Sequence, residues 1–168
     1  VPIAWHYSSL DGVLIFSPVL SVLAAALCFS LRGTVITRYA LPLLPVTVHN
    51  GRTALPLPDA QPFHGALTVG RLWDEAKDTA TLDDAAALLD VPFVAIGATR
   101  APHGATVTPA HLQATGPLPA EIIGHWLARR PVFASAARFE PFGLAVLEAA
   151  QAGCPLVLSD IASFRELW

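Results

Sequence analysis

From position 64 onward, short unbroken apolar runs alternate with stretches whose apolar residues recur at helical spacing. "HGALTVGRL" predicts a strand closed by Gly70, and "PFVAIGAT" and "PVFASA" read as continuously apolar strands. "HLQATGPLP" holds a shorter strand and "PLVLSD" another. Between them, "DTATLDDAAALLD" places Leu82, Ala85, Leu88 and Leu89 on one helical face. "PAEIIGHWLARR" predicts a helix with Pro119 near its start and basic residues in its last turn. "FGLAVLEAAQAG" predicts a helix closed by Gly153, and "SFRELW" opens another, with Ser163 as its N-cap and Glu166 three residues on. Upstream, "PVTVHNG" is a β-rich run ended by the Asn50–Gly51 turn, and "RTALPLPDAQP" is a Pro-rich loop.

Strands that are apolar throughout and separated by helices imply a parallel sheet covered on both faces, with right-handed crossovers. The expected fold is α/β: a Rossmann-like doubly wound parallel sheet. Ligands of such sheets bind at the carboxyl ends of the strands, beside helix N-termini. The sequence has no GxGxxG fingerprint, so a dinucleotide site of the usual kind is not indicated.

Residues 12–31, "GVLIFSPVLSVLAAALCFSL", stand apart from this pattern. The run carries no charge, lies between Asp11 and Arg32, and reaches the roughly 20 residues a membrane span needs. Arg32 and Arg38 favour a cytoplasmic C-terminal side, which would put the rest of the chain at the inner face of the membrane. The run lacks the basic approach of a signal peptide, and the alternatives are a buried core segment or an end unrelated to the fold of the rest. The organisation expected is therefore an apolar segment at 1–37 and a Rossmann-like domain at 38–168. The chain opens on Val and stops where a helix is starting, which reads as a piece of a longer protein.

Composition narrows the function. The 168 residues are 54% hydrophobic and 14% charged, too apolar for a disordered chain and enough for one core. A net charge of -3 with scattered Lys and Arg gives no general attraction to nucleic acid. Cys28 and Cys154 are too far apart for a metal motif, and the six His show no ligand spacing, so no metal site is expected.

The chemistry concentrates in "EPFGLAVLE". Gly143 lets a ligand approach the backbone closely, and the amides of Gly143 and Leu144 at a helix start favour an anion such as a phosphate. Glu140 precedes the helix, and Glu148 lies one turn beyond Leu144 on the same side. A buried Glu148 needs donors, and a ribose diol supplies two. The alternative is that Glu148 and Gln151 form a narrow solvent face, with Glu140 a solvated loop acid.

The stretch "RFEPFGLAVLEAAQAGCPLVLSDIASFRELW", with Glu140 and Glu148 bracketing seven uncharged residues, resembles the Glu-x7-Glu signature of glycosyltransferase family 4. "VHNG", "VGRLWDEAK" and the run from "ATGPLP" to "FEPFG" resemble further family segments in the same order, over roughly residues 38–168. These are retaining enzymes of the two-domain glycosyltransferase B fold, whose C-terminal domain binds the nucleotide-diphosphate sugar donor. The resemblance implies that Arg71 and Lys77 hold the diphosphate and that Phe142, Gly143 and Leu144 offer it backbone amides. It implies that Glu140 contacts the donor sugar near the reacting carbon and that Glu148 contacts the ribose. Ser135 falls near the phosphates, although "SAARFE" matches loosely. No cofactor and no metal are implied. The partners implied are the donor, a glycan, lipid or small-molecule acceptor, and an N-terminal domain that this sequence does not show. A nucleotide-sugar-binding remnant without catalysis is the alternative.

Overall fold

The computed structural model describes residues 50–168. The apolar run at 12–31 and the β-rich stretch before Asn50 lie outside the described residues. Among the described residues, no helix is long and apolar enough to cross a membrane.

The chain divides into two compact units. The larger comprises Arg52–Phe139 and Gly143–Ile161. It contains five strands: β1 (Ala66–Val69), β2 (Phe93–Ile96), β3 (Gln113–Gly116), β4 (Val132–Ser135) and β5 (Leu156–Leu158). All pair in parallel, in the order β3-β2-β1-β4-β5. A 3-10 turn (Glu75–Lys77) and helix α1 (Thr79–Ala86) join β1 to β2. Helix α2 (Ala120–Ala128) leads from β3 to β4, and α3 (Leu144–Gln151) leads from β4 to β5. The strand order reverses between β1 and β4, as the doubly wound expectation requires.

The central strands are buried because their side chains are apolar on both faces. Ala66, Phe93, Ala95 and Ala134 pack with Leu72, Leu82 and Leu112 into one core cluster. Leu67, Ile96 and Phe133, at alternating positions, are also almost wholly buried. The edges differ: three of the four residues of β3 are exposed, and Val157 of β5 is 59% exposed.

Two local expectations need correction. Helix α1 ends at Ala86, and Leu88 and Leu89, assigned to its apolar face, are exposed. Leu88 N–H and Leu89 N–H bond to carbonyls three residues back, which tightens the turn before Pro92 holds the chain extended into β2.

The described residues of the smaller unit include Glu140–Phe142 and Ala162–Trp168. Its described helix, α4 (Ala162–Leu167), includes Ser163 rather than being capped by it. The Ser163 hydroxyl instead donates to the Glu140 carbonyl. Trp168 Nε1 donates to the Phe142 carbonyl at 3.2 Å, and the two rings meet edge to face.

Candidate functional site

In a doubly wound sheet the crevice opens where the strand order reverses, here at the carboxyl ends of β1 and β4. The segments that follow these strands are therefore the place to look. After β1 the chain runs through Gly70 and Arg71 into the 3-10 turn. Asp74 caps that turn, its Oδ1 accepting from Ala76 N–H at 3.1 Å. Lys77 closes the turn, and its aliphatic stem runs beside Gly70, so that a Cβ there would meet Cε at 3.9 Å. The Arg71 guanidinium is largely exposed, 2.7 Å from Asp74 Oδ2 and 5.5 Å from the Trp73 ring centre. Thr79 Oγ1 donates to the buried Leu72 carbonyl and ties α1 back to this loop.

Gly97, at the carboxyl end of β2, makes the approach to this loop possible. A Cβ at that position would stand 1.6 Å from the Gly70 carbonyl oxygen. Only glycine lets the two strand ends meet this closely.

The segment after β4 is fastened to the segment after β1. Arg138 N–H and Phe139 N–H both bond to the Ala76 carbonyl, and Arg138 Nε donates to Asp78 Oδ2 at 2.8 Å. Asp78 holds a left-handed backbone, φ 50°, between the 3-10 turn and α1. Burial pushes the Asp78 carboxyl up, but bonds from Arg138 and Thr81 outweigh this and hold it below the ordinary range. Ser135 ends β4 half-buried, and its carbonyl accepts from Ser159 N–H.

Helix α3 follows, with Gly143 as its N-cap at φ 85° and ψ 61°, a conformation suited to glycine. A glycine N-cap has no side chain of its own to bond the amides of the first turn. The expected helix start is displaced by about one residue, since Leu144 is the first helical residue.

Glu148 lies in the second turn of α3 and is 7% exposed, which excludes the solvent face shared with Gln151. Its Oε1 is 2.6 Å from Arg52 Nε. The two are in ionic contact, yet no aligned hydrogen bond reaches that oxygen, and it is a buried acceptor with none. Burial raises the Glu148 carboxyl above its ordinary range, and the charge of Arg52 opposes this without cancelling it. Arg52 is 30% exposed along its side chain, so the acid is the deeper partner.

The topology thus gathers Arg71, Lys77, Ser135, Gly143, Leu144 and Glu148 into the larger unit, on segments at or following the ends of β1 and β4. Glu140 and Phe142 belong to the smaller unit. Two residues were missed in the sequence. Arg52 sat in a stretch read only as a Pro-rich loop, and Arg138 in the loosely matching "SAARFE". The need of a buried Glu148 for a partner was legible; its identity, remote in the chain, was not. Among the described residues, no group of His, Cys, Asp and Glu is placed to hold a metal ion.

Similarity to known proteins agrees with this geometry. Three solved structures share the fold at TM-score 0.55. The pneumococcal O-GlcNAc transferase GtfA, solved with UDP and GlcNAc, is 19% identical; 77% of this chain is covered and 28% of that one. Sucrose-phosphate synthase from Thermosynechococcus elongatus is 19% identical, with 77% and 38% covered. TarM is 15% identical, with 79% and 28% covered. The chain therefore spans well under half the length of each. No curated protein matches. The family model described as "Glycosyl transferases group 1" matches residues 64–168, the whole of the sheet and its helices. On that match and this fold, the chain belongs to the group 1 glycosyltransferases.

Proposed function

We propose that this chain carries the donor-binding half of a retaining glycosyltransferase that takes sugar from a nucleotide-diphosphate sugar. The observation that carries the proposal is Glu148, a buried carboxylate whose Oε1 accepts no aligned hydrogen bond, on a helix whose N-cap is a glycine. The acid is suited to the donor hydroxyls of a ribose, and the helix start to a phosphate. GtfA, a structure with the same fold, was solved with UDP and GlcNAc, which favours a donor of this class.

In this reading the Gly143 and Leu144 amides and the Phe142 backbone receive the diphosphate. Arg71 and Lys77 neutralise the charge that grows on it as the glycosidic bond breaks. The exposed Arg71 guanidinium exchanges Asp74 for phosphate oxygens. Ser135 lies near the phosphates. Glu140 orients the donor sugar and stabilises positive charge at the reacting carbon while the acceptor attacks from the face the diphosphate leaves. The acceptor is a glycan, lipid or small molecule presented by a second domain. These steps call on no metal or cofactor.

Calorimetric titration of the folded chain with UDP, GDP and ADP tests the donor site. At least one is expected to bind. Absence of binding by all three, with folding verified by circular dichroism, overturns the reading.

A further inference from the structure

We infer that Arg52 is a positioning residue of the ribose site: its guanidinium fixes the buried Glu148 carboxylate as the acceptor for the ribose hydroxyls. The inference rests on the donor-site reading and adds to it a residue from the segment that leads into the sheet.

The geometry separates this pair from a structural salt bridge. Structural Arg–carboxylate pairs gain most when two parallel N–H groups meet two oxygens. Here one nitrogen reaches Oε1 at 2.6 Å without an aligned hydrogen bond. The side chains are also unequal in burial, 6% exposed for Glu148 and 30% for Arg52. The Arg52 side chain is therefore partly open to solvent while the acid is enclosed. Arg52 therefore supplies charge while leaving acceptor capacity on the carboxylate, as a diol with two O–H donors needs. Burial raises the Glu148 carboxyl and the charge of Arg52 opposes that rise, so loss of Arg52 shifts the acid further toward the protonated form. A protonated carboxyl spends one oxygen as a donor and meets a diol less well.

The test compares UDP, GDP or ADP, whichever binds tightest, with its 2′,3′-dideoxy counterpart. The wild type is expected to prefer the ribonucleotide by about tenfold or more, the effect of charge-assisted bonds. Arg52→Gln, and Arg52→Met, which keeps the packing stem, are expected to bring the ratio to about twofold or less. Arg52→Lys is expected to restore most of it by returning the charge. A merely structural Arg52 would change thermal stability and leave the ratio alone. A wild-type ratio retained in Arg52→Gln and Arg52→Met overturns the role of Arg52 while the ribose site stands. A lysine that restores nothing overturns the role of charge. A wild-type ratio near one overturns the ribose site and the inference with it.

Discussion

Asp83 and Glu148 are two acids on helices of the same unit, and they live in opposite conditions. Asp83 on α1 receives three backbone N–H groups, from Ala110, His111 and Leu112, at 2.8–2.9 Å. These bonds anchor the segment that enters β3. Burial raises its carboxyl, but the three amides, aided by His111, hold it below the ordinary range. Glu148 is deeper, and its Oε1, which faces Arg52, accepts no aligned hydrogen bond. Its carboxyl is raised. The first acid is satisfied by the chain itself, and its ionised form stabilises the fold. The second is held at a cost in stability that a ligand would offset, a pattern common at functional sites.

Breaking the satisfied acid gives the largest effect on folding. Asp83→Ala strands three amides and is expected to cost about 2–3 kcal/mol in urea unfolding. Asp83→Asn keeps acceptor capacity and is expected to cost about half of that. Removing the charge of the unsatisfied acid acts in the other direction. Glu148→Gln is expected to raise stability by roughly 0.5–2 kcal/mol at neutral pH, as replacements at strained functional positions do. A clear loss of stability would show that the Arg52 pair is structural after all.

Varying pH sharpens the contrast. The folded Asp83 carboxyl lies below its ordinary value of 3.8, so its stabilisation is present above that value and is lost as pH falls through the lower folded one. The folded Glu148 carboxyl lies above 4.5, so its contribution is fully present below 4.5 and is lost as pH rises through the folded value. The advantage of Glu148→Gln over wild type is therefore expected to grow with rising pH. The penalty of Asp83→Asn is expected to fade toward strong acid. Denaturation curves across pH 3–8 check both.

The smallest effect is expected at Asp78–Arg138, where the guanidinium side chain is 73% exposed. Arg138→Ala is expected to cost about 0–1 kcal/mol, because water and salt screen such a pair. Its backbone bond to Ala76, which joins the two loops, is retained.

What the sequence revealed follows from how local each signal is. The continuous apolar run of β2 could only be a strand buried on both faces, and all four of its residues are buried. Gly143 and Glu148 were legible because a glycine at a helix start and an acid in an apolar helix are local anomalies. The end of α1 was not legible, since "AAALLD" has every helical preference and only the path to Pro92 stops it. Ser163 matched a capping pattern, yet its hydroxyl had a better acceptor in the Glu140 carbonyl, distant in the chain. Arg52 and Asp83 escaped for the same reason: their partners come from far along the sequence. The segment at 1–37 lies outside the described residues, and its membrane reading stays an expectation from hydropathy.

The most direct test of the account is the affinity of the chain for its tightest nucleoside diphosphate, measured by calorimetry before and after Glu148→Ala. The variant is expected to stay folded and to bind at least about tenfold more weakly, the loss of charge-assisted bonds to the ribose. An affinity equal to that of the wild type would contradict it and return Glu148 to the core as an acid without a ligand.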